Sequence, residues 1–422
     1  MSATRSITFL NRLMAGLTIC AHTLSGAQVP IKTEWHAVMS PYLQRPLWTD
    51  SQAYDAAHSL LIPIHAAFSL GMVGWQDELA SHFSRFVAEA DGLASGDLPR
   101  LQYLFVASYF AAEASEHGRK DLIPKGLLGL LESMFETSWA SAPAWEWAHT
   151  PFNGIRARIL WKLSHPKTPW RYYQVLIDQD FYPLGLAANL RRIANTGLIN
   201  EKKEVGDALG VAKRIFAQEV SWQVDGGWLL QPGYWSDHPD YLYAGQAAKT
   251  PGMSPCPVPD IAWDSAHFSR FPALLTSLRR AYSFAEPEFR FYDQLVKGLE
   301  IQFFVHVAEP PSKDFPTWRL KNFMDGRNGI FRWQYPSLGP GQGYGPFEDS
   351  VVLTLGWWSL LGTKRIRTIY SDLLPLLQSD RVVQALYHGP TPITHPIRPS
   401  ALQPSLPGNR LRIFIVTLAS KI

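Results

Sequence analysis

The chain has 422 residues, of which 46% are hydrophobic and 18% are charged, and its formal net charge is +3 at pH 7. This composition is typical of a globular protein and argues against a disordered or membrane-embedded chain. The charge is unevenly placed, because residues 28–380 hold 32 basic and 36 acidic side chains, a net charge of −4. A nucleic-acid groove needs a basic stripe, so the composition predicts no nucleic-acid partner.

The first 27 residues are typical of a signal peptide. Arg5 and Arg12 stand there without an acidic residue, an apolar run covers residues 13–21, and Ser-Gly-Ala ends the segment at residues 25–27. We therefore expect a secreted or periplasmic protein with no membrane span after the peptide is removed, since the apolar run is too short for a stable anchor. The mature chain would keep one cysteine, Cys256, and no intramolecular disulfide.

Helical periodicity dominates the chain after the leader. Between Val205 and Val220 apolar residues recur every three to four positions, which is the period of one buried helix face. The pattern recurs elsewhere and predicts an all-α domain over residues 28–380, with about ten helices. The other predicted helices cover residues 54–70, 99–115, 122–135, 153–164, 265–283, 288–306 and 350–361.

Three segments break this rhythm. Residues 222–262 are rich in proline and glycine and predict a long irregular loop. In residues 325–349, Phe331, Trp333 and Tyr335 alternate with polar residues, which predicts a short strand with one aromatic face. Residues 381–422 hold no acidic residue and many prolines, so we expect an extended tail.

Long loops that are rich in aromatic and acidic residues, on a helical domain, favour a toroid of paired helices whose loops line a central cleft. The alternative is a plain multi-helix bundle, which has less use for such loops. The segment from Trp222 to Tyr243 interleaves six aromatic residues with three aspartates and one histidine, a combination that suits a cleft for a polar, flat ligand such as a carbohydrate. We predict substrate-binding roles for Trp222, Trp228, Tyr234, Trp235, Tyr243, Trp333, Tyr344 and Arg156.

The motif Asp225-Gly226-Gly227-Trp228, followed by His238, Tyr241, Tyr243 and then Ala244-Gly245, resembles the α/α-toroid polysaccharide lyases that act on hyaluronate and chondroitin. Asp-Gly-Gly-Trp is also similar to motifs of α/α-barrel glycosidases and of terpene cyclases. The likeness covers about two dozen residues, and His238 lies farther from Asp225 than the histidine of the lyases does. It implies an incomplete or six-hairpin α/α toroid.

Elimination on a uronic acid needs a group that neutralises the carboxylate, a base and a proton donor. The resemblance implies that Asn153 is the neutralising group, with Arg156 nearby. It implies that His238 is the base and that Tyr241 or Tyr243 is the proton donor. Alternatively, His238 is a loop histidine that is hydrogen-bonded to a neighbouring aspartate, and Tyr241 and Tyr243 are packing residues without a catalytic role.

Glycoside hydrolysis needs two carboxylates across a cleft. Asp237 or Asp240 paired with Glu348 is the combination we expect. Asp264 precedes a predicted helix and is interpreted as its N-cap. Glu348 and Asp349 precede the helix predicted at Ser350, so they are alternatively interpreted as residues that stabilise its N-terminus. Glu146, between two tryptophans, is a further candidate acid.

The sequence thus predicts an exported protein that binds and cleaves a polysaccharide or oligosaccharide by elimination or hydrolysis. No cofactor is predicted. Alternatively, Asp237, His238 and Asp240 bind a divalent cation. The rival hypothesis is a non-catalytic glycan-binding protein or a virulence or avirulence factor, since no conventional catalytic motif is complete.

Overall fold

The computed structural model describes residues 30–144, 151–164, 168–335, 338–339, 341–390 and 398–422. The predicted signal peptide and Glu146 lie outside these residues. The described part is mostly helical, which confirms the all-α prediction. Its α-helices are α1 (Ile31–Leu43), α2 (Ala53–Ser69), α3 (Val73–Ala88), α4 (Asp97–Glu116), α5 (Leu127–Ala140), α6 (Gly154–Ser164), α7 (Asp178–Asn195), α8 (Lys203–Glu219), α9 (Ser265–Phe268), α10 (Phe271–Arg280), α11 (Pro287–Gln302), α12 (Lys364–Ser379), α13 (Arg381–His388) and α14 (Pro407–Ala419).

Helix periodicity located five of these helices, α2, α4, α6, α8 and α11, to within about four residues at each end, and it did not predict α1, α3, α7 or α12. The helix expected at 54–70 is α2, and α8 buries Val205, Leu209 and Ile215 on the face that the periodicity predicts. The segment expected as one helix at 265–283 is split into α9 and α10. Residues 350–361 form two 3₁₀ segments, Glu348–Leu355 and Trp357–Leu361, that meet at Gly356 with a positive φ of 75°.

The central helix is α4. Residues 101–115 are all buried, so this helix has no polar face, as expected for a helix that is surrounded by others. It packs against α2 on one side and α7 on the other. In turn α7 packs against α8 and α10, and α10 packs against α11 and the segment Trp357–Leu361, whose two tryptophans are buried.

Strand structure in the described residues is limited to three short antiparallel pairs. These are β1 (Pro143–Ala144) with β2 (Phe152–Asn153), β3 (Val220–Trp222) with β4 (Trp228–Leu230), and β5 (Ala308–Glu309) with β6 (Arg319–Leu320). The strand predicted over residues 331–335 is wrong. Phe331 makes one isolated bridge with Tyr344, and Arg332 and Gln334 have left-handed φ values of 54° and 59°, which end the alternation.

The end of the chain also differs from the extended tail that the sequence predicts. Residues 381–388 and 407–419 are helical, and α14 packs against α1, α2 and α12. Phe414, Ile415 and Val416 are buried there. Pro407 occupies the first turn of α14, where a helix does not need its N–H group, so the proline is compatible with a helix start.

A buried ion network links three of the packed helices. Glu113 of α4 is 1% exposed, and it accepts hydrogen bonds from Arg192 of α7 at 2.7 Å and from Arg280 of α10. Burial alone would raise the pKa of the Glu113 carboxyl, but the two guanidinium groups lower it from 4.5 to about 2. The network therefore stabilises the fold in its ionised form.

Glu113→Gln should lower the free energy of unfolding by about 2 to 4 kcal/mol at neutral pH, because it leaves the buried guanidinium of Arg192 and the partly exposed one of Arg280 with only the carboxylate of Glu116. Since the folded pKa is depressed, the wild type should lose this contribution as the pH falls from 4.5 towards 2. Urea unfolding at several pH values measures both effects. The control Glu89→Gln, at an exposed position, should change neither.

Candidate functional site

A cavity of about 210 Å³ lies where two helices begin and two loops meet. The first turns of α4 and α7 form one side, the loop around Trp235 to Tyr241 forms a second, and the segment before and within α9 forms the floor. Its lining consists of Leu98, Ile177, Asp178, Gln179, Trp235, His238, Asp240, Tyr241, Trp263, Asp264, His267, Phe331 and Arg332. Carboxylates, imidazoles, one guanidinium and aromatic rings therefore line one cavity.

A larger groove of about 980 Å³ lies between α1, α12 and α14. Glu34 is the one carboxylate in its lining, and it is paired with Arg410 at 2.7 Å. Phe414 is the one aromatic residue in the lining, and it is buried. Because catalysis needs reactive groups, and the smaller cavity holds carboxylates, imidazoles and a guanidinium, we take the smaller cavity as the candidate site.

Asp264 is the centre of the polar floor. Its side chain is 1% exposed, and its Oδ2 atom accepts a hydrogen bond of 2.7 Å from the Tyr241 hydroxyl. Its Oδ1 atom accepts from the backbone N–H of His267 at 2.8 Å, which confirms the predicted N-cap. Burial raises the pKa of this carboxyl, but His267 and Arg332 outweigh that effect and hold the pKa below its usual value.

His267 is oriented by this carboxylate. Its Nδ1 atom lies 2.8 Å from both carboxylate oxygens of Asp264, and its Nε2 atom lies 3.4 Å from a terminal nitrogen of Arg332. A carboxylate accepts and a guanidinium donates, so this geometry places the ring proton on Nδ1 and leaves the Nε2 lone pair towards Arg332. This is the arrangement of a base held by an orienting carboxylate.

Arg332 joins the two loops that face each other across the cavity. Its Nε atom donates to Asp240 Oδ2 at 2.9 Å, and its backbone N–H donates to the Asp240 carbonyl at 2.9 Å. The left-handed backbone of Arg332 lets its side chain and its N–H group reach Asp240 together. The guanidinium is thereby fixed between Asp240 and His267, with its side chain 25% exposed. A fixed cation at the edge of a cavity can bind an anionic group of a ligand, in competition with the carboxylate of Asp240.

A second carboxyl, that of Asp349, is buried behind this floor. Its side chain is fully buried, and neither of its oxygen atoms has a hydrogen-bond partner among the described residues. Burial raises the pKa of this carboxyl well above its usual value, and the nearby charge of Asp264 raises it further. Asp349 therefore holds its proton more tightly than Asp264 does.

Three of the sequence-predicted catalytic residues lie in the cavity lining: His238, Asp240 and Tyr241. The backbone N–H of Asp240 donates to His238 Nδ1 at 3.1 Å, and burial lowers the pKa of this imidazole. Tyr241 is 1% exposed, and burial raises the pKa of its hydroxyl well above 10.0. Both side chains are therefore neutral at neutral pH.

The other three predicted catalytic residues do not line the cavity. The carboxylate of Asp237 accepts the backbone N–H groups of Arg171 at 2.7 Å and Tyr172 at 3.2 Å. Glu348 is paired with Lys249 at 2.7 Å, and Asn153 is exposed on β2. Among the described residues the structure thus does not bring Asp237 or Glu348 together with Asp240 in one cavity.

Of the predicted substrate-binding residues, one lies in the cavity lining and the others do not. Trp235 lines the cavity, but Trp228 is fully buried and donates through its indole Nε1 to the Leu295 carbonyl at 2.8 Å. A ring buried in this way cannot stack on a sugar, so its predicted binding role is wrong. The other predicted residues lie outside the cavity lining: exposed Trp222, half-buried Tyr234, Tyr243 and Tyr344, buried Trp333, and Arg156, which is paired with Asp207 at 2.6 Å.

Sequence reasoning missed His267 and Arg332 as functional residues. The signal for His267 was present, because an N-cap aspartate and a histidine three residues later lie on the same side of a helix start. Arg332 was hidden by the predicted strand, which assigned it to the face opposite the aromatic residues. Its left-handed backbone could not be read from the alternation.

No family model matches the chain, and no curated protein or solved structure is significantly similar to it. None of the described helices is both long and apolar enough to cross a bilayer. In the described part of the chain, no three His, Cys, Asp or Glu side chains are grouped so as to hold a metal ion.

The two buried carboxyls should respond differently to neutralisation. Asp264→Asn should lower the free energy of unfolding by about 2 to 4 kcal/mol, since it weakens charge-assisted bonds to Tyr241 and His267. Asp349→Asn should not lower it at neutral pH, because the native carboxyl has no hydrogen-bond partner among the described residues and its raised pKa disfavours the ionised form.

The pH dependence of this difference follows from the raised pKa of Asp349. The folded state holds this proton more tightly than the unfolded state, so the wild type loses stability as the pH rises above 3.8. The stability of Asp349→Asn relative to wild type should therefore increase with pH, as measured by chemical unfolding. A loss for Asp349→Asn as large as that for Asp264→Asn would contradict the assignment of charges.

Proposed function

We propose that this protein is an exported carbohydrate-active enzyme that cleaves a glycosidic bond of a uronate-containing polysaccharide or oligosaccharide. Export rests on the sequence of residues 1–27. The observation that supports the chemistry best is the pair Asp264 and His267 beside Arg332 on the floor of an aromatic cavity. These three groups supply an oriented base next to a fixed cation.

The proposed architecture is an incomplete α/α toroid. Helices α2, α4, α7 and α10 are neighbours in that order, and the segment Trp357–Leu361 follows α10. The segment Glu348–Leu355 packs against α2, so the series returns towards its start. The first turns of α4 and α7 lie at the cavity, which is where a toroid with loops at one end would place its binding site.

The ring that a sugar would meet is Trp235, which lines the cavity and is 7% exposed, whereas Tyr241 and Trp263 are 1% exposed. Trp235 is stacked on Tyr241 with a centroid distance of 4.9 Å and an interplanar angle of 14°, and it meets Trp263 edge-on at 5.4 Å. Such packing fixes the rings before a ligand arrives. A rigid apolar wall beside a polar floor matches a sugar, which has apolar C–H faces and hydroxyl groups at its edge.

Elimination is the reaction that these groups fit best. His267 would take the proton from the carbon next to the uronate carboxylate, and Arg332 would neutralise that carboxylate. The electrons of the broken C–H bond would form the C=C bond while the C–O bond to the leaving sugar breaks. The leaving oxygen would take up a proton from solvent, because the buried Tyr241 hydroxyl donates its hydrogen bond to Asp264.

His267→Ala should lower the rate of cleavage by roughly 10²- to 10⁴-fold, which is the usual contribution of a general base. The assay measures reducing ends and the absorbance of unsaturated uronides on a panel of uronate-containing polysaccharides. His306→Ala is a matched control, because His306 forms a similar pair with Asp225 at 2.6 Å outside the cavity lining. Its activity should equal that of the wild type.

The assay also separates the alternatives. If reducing ends form without unsaturated products, the reaction is hydrolysis and not elimination. Asp240 and Asp264 would then be the two catalytic carboxylates in the cavity. Equal activity of His267→Ala and wild type would reject the assigned base. Tight binding of a glycan without any product would favour the non-catalytic glycan-binding protein or host-interaction factor.

A further inference from the structure

The cavity is too small for more than a short piece of a glycan. Its volume of about 210 Å³ lies below the roughly 300 to 1,000 Å³ of ordinary ligand pockets. Neighbouring sugar residues of a bound chain must therefore lie on the protein surface outside it. The surface next to the cavity mouth should show where they bind.

An aromatic path leads from the cavity to the surface. His238 lines the cavity, and its ring centroid lies 4.9 Å from that of Tyr172. The Tyr172 ring lies 6.5 Å from that of Trp170, and the planes of these two rings differ by 25°. Trp170 is 50% exposed, which is a large exposed area for a tryptophan.

The position of this path is fixed by Asp237. Its two carboxylate oxygens accept the N–H groups of Arg171 and Tyr172 at 2.7 and 3.2 Å. Asp237 immediately precedes His238 in the loop that lines the cavity. The Asp237 carboxylate therefore links the backbone of Arg171 and Tyr172 to the loop that carries His238. This link fixes the position of the Tyr172 ring relative to the cavity.

We propose that Trp170 and Tyr172 form an outer subsite, which stacks on a sugar residue beyond the disaccharide unit bound at the cavity. The inference rests on the proposed function for the identity of the ligand as a glycan. The ligand is then an oligosaccharide longer than a disaccharide, with apolar ring faces available for stacking. Asp237 acts as a positioning residue for this outer subsite.

The test measures the affinity of oligosaccharides that increase in length from disaccharide to hexasaccharide. Oligogalacturonides and hyaluronan oligosaccharides serve as probes, and calorimetry on the His267→Ala protein avoids turnover. Affinity should rise with length until the outer subsite is filled. Trp170→Ala should bind the hexasaccharide about tenfold more weakly, and it should bind the disaccharide like the parent protein.

Three further variants control for folding and position. Trp170→Phe should restore much of the lost affinity, because it returns an aromatic face. Asp237→Ala should weaken the binding of the hexasaccharide and leave the binding of the disaccharide unchanged, as Trp170→Ala does. Trp222→Ala is the matched control, since Trp222 is 45% exposed on β3, outside the cavity lining, and its loss should leave every affinity unchanged.

The outcomes separate the outer subsite from the proposed function. If affinity does not depend on length, or if Trp170→Ala weakens all lengths equally, the outer subsite is wrong even in an active enzyme. If long oligosaccharides bind through Trp170 but the wild type never cleaves them, the subsite stands and the proposed cleavage fails. If no oligosaccharide binds, both are rejected.

Discussion

The buried carboxylate of Asp264 joins the segments that build the candidate site. It accepts hydrogen bonds from Tyr241 and His267, so it links the irregular loop to α9. The backbone around it is tied to a third segment, because Ser265 N–H donates to the Asn322 carbonyl at 2.8 Å and Met324 N–H donates to the Trp263 carbonyl at 2.9 Å. An ionised group this deeply buried requires these partners, and they in turn fix the shape of the cavity floor.

The distribution of charge around Asp264 determines what the site can do. Asp264 and Asp240 face the cation of Arg332, whereas burial and the charge of Asp264 raise the pKa of Asp349 well above its usual value. Neighbouring carboxyls whose pKa values are pushed apart are a common arrangement at acid and base sites. The same arrangement leaves the imidazole of His267 between an anion and a cation, with its two ring nitrogens in different roles.

Features that depend on local periodicity could be predicted from the sequence. The buried faces of α2 and α8, the N-cap at Asp264 and the buried Trp357 and Trp358 follow from spacing and residue type. Three residues that the irregular loop offered as candidates, His238, Asp240 and Tyr241, line one cavity. Composition and spacing carry this information because it concerns residues that are close in the chain.

Features that depend on distant contacts could not be predicted in this way. Asp237 and Asp240 are three residues apart, but one caps a turn at Arg171 and the other binds Arg332. Trp228 belongs to a motif that suggests a binding surface, yet the packing of β4 on α11 buries it. Which partner a loop residue meets is decided by tertiary structure, and sequence spacing contains little of that information.

The central claim is that the space between Trp235, His267 and Arg332 binds a uronate-containing glycan. A crystal structure of the His267→Ala protein with a bound oligosaccharide tests it most directly. We expect a sugar ring against Trp235 with its carboxylate within hydrogen-bond distance of the Arg332 guanidinium. A glycan bound elsewhere on the protein, with the cavity empty at a saturating concentration, would contradict the account.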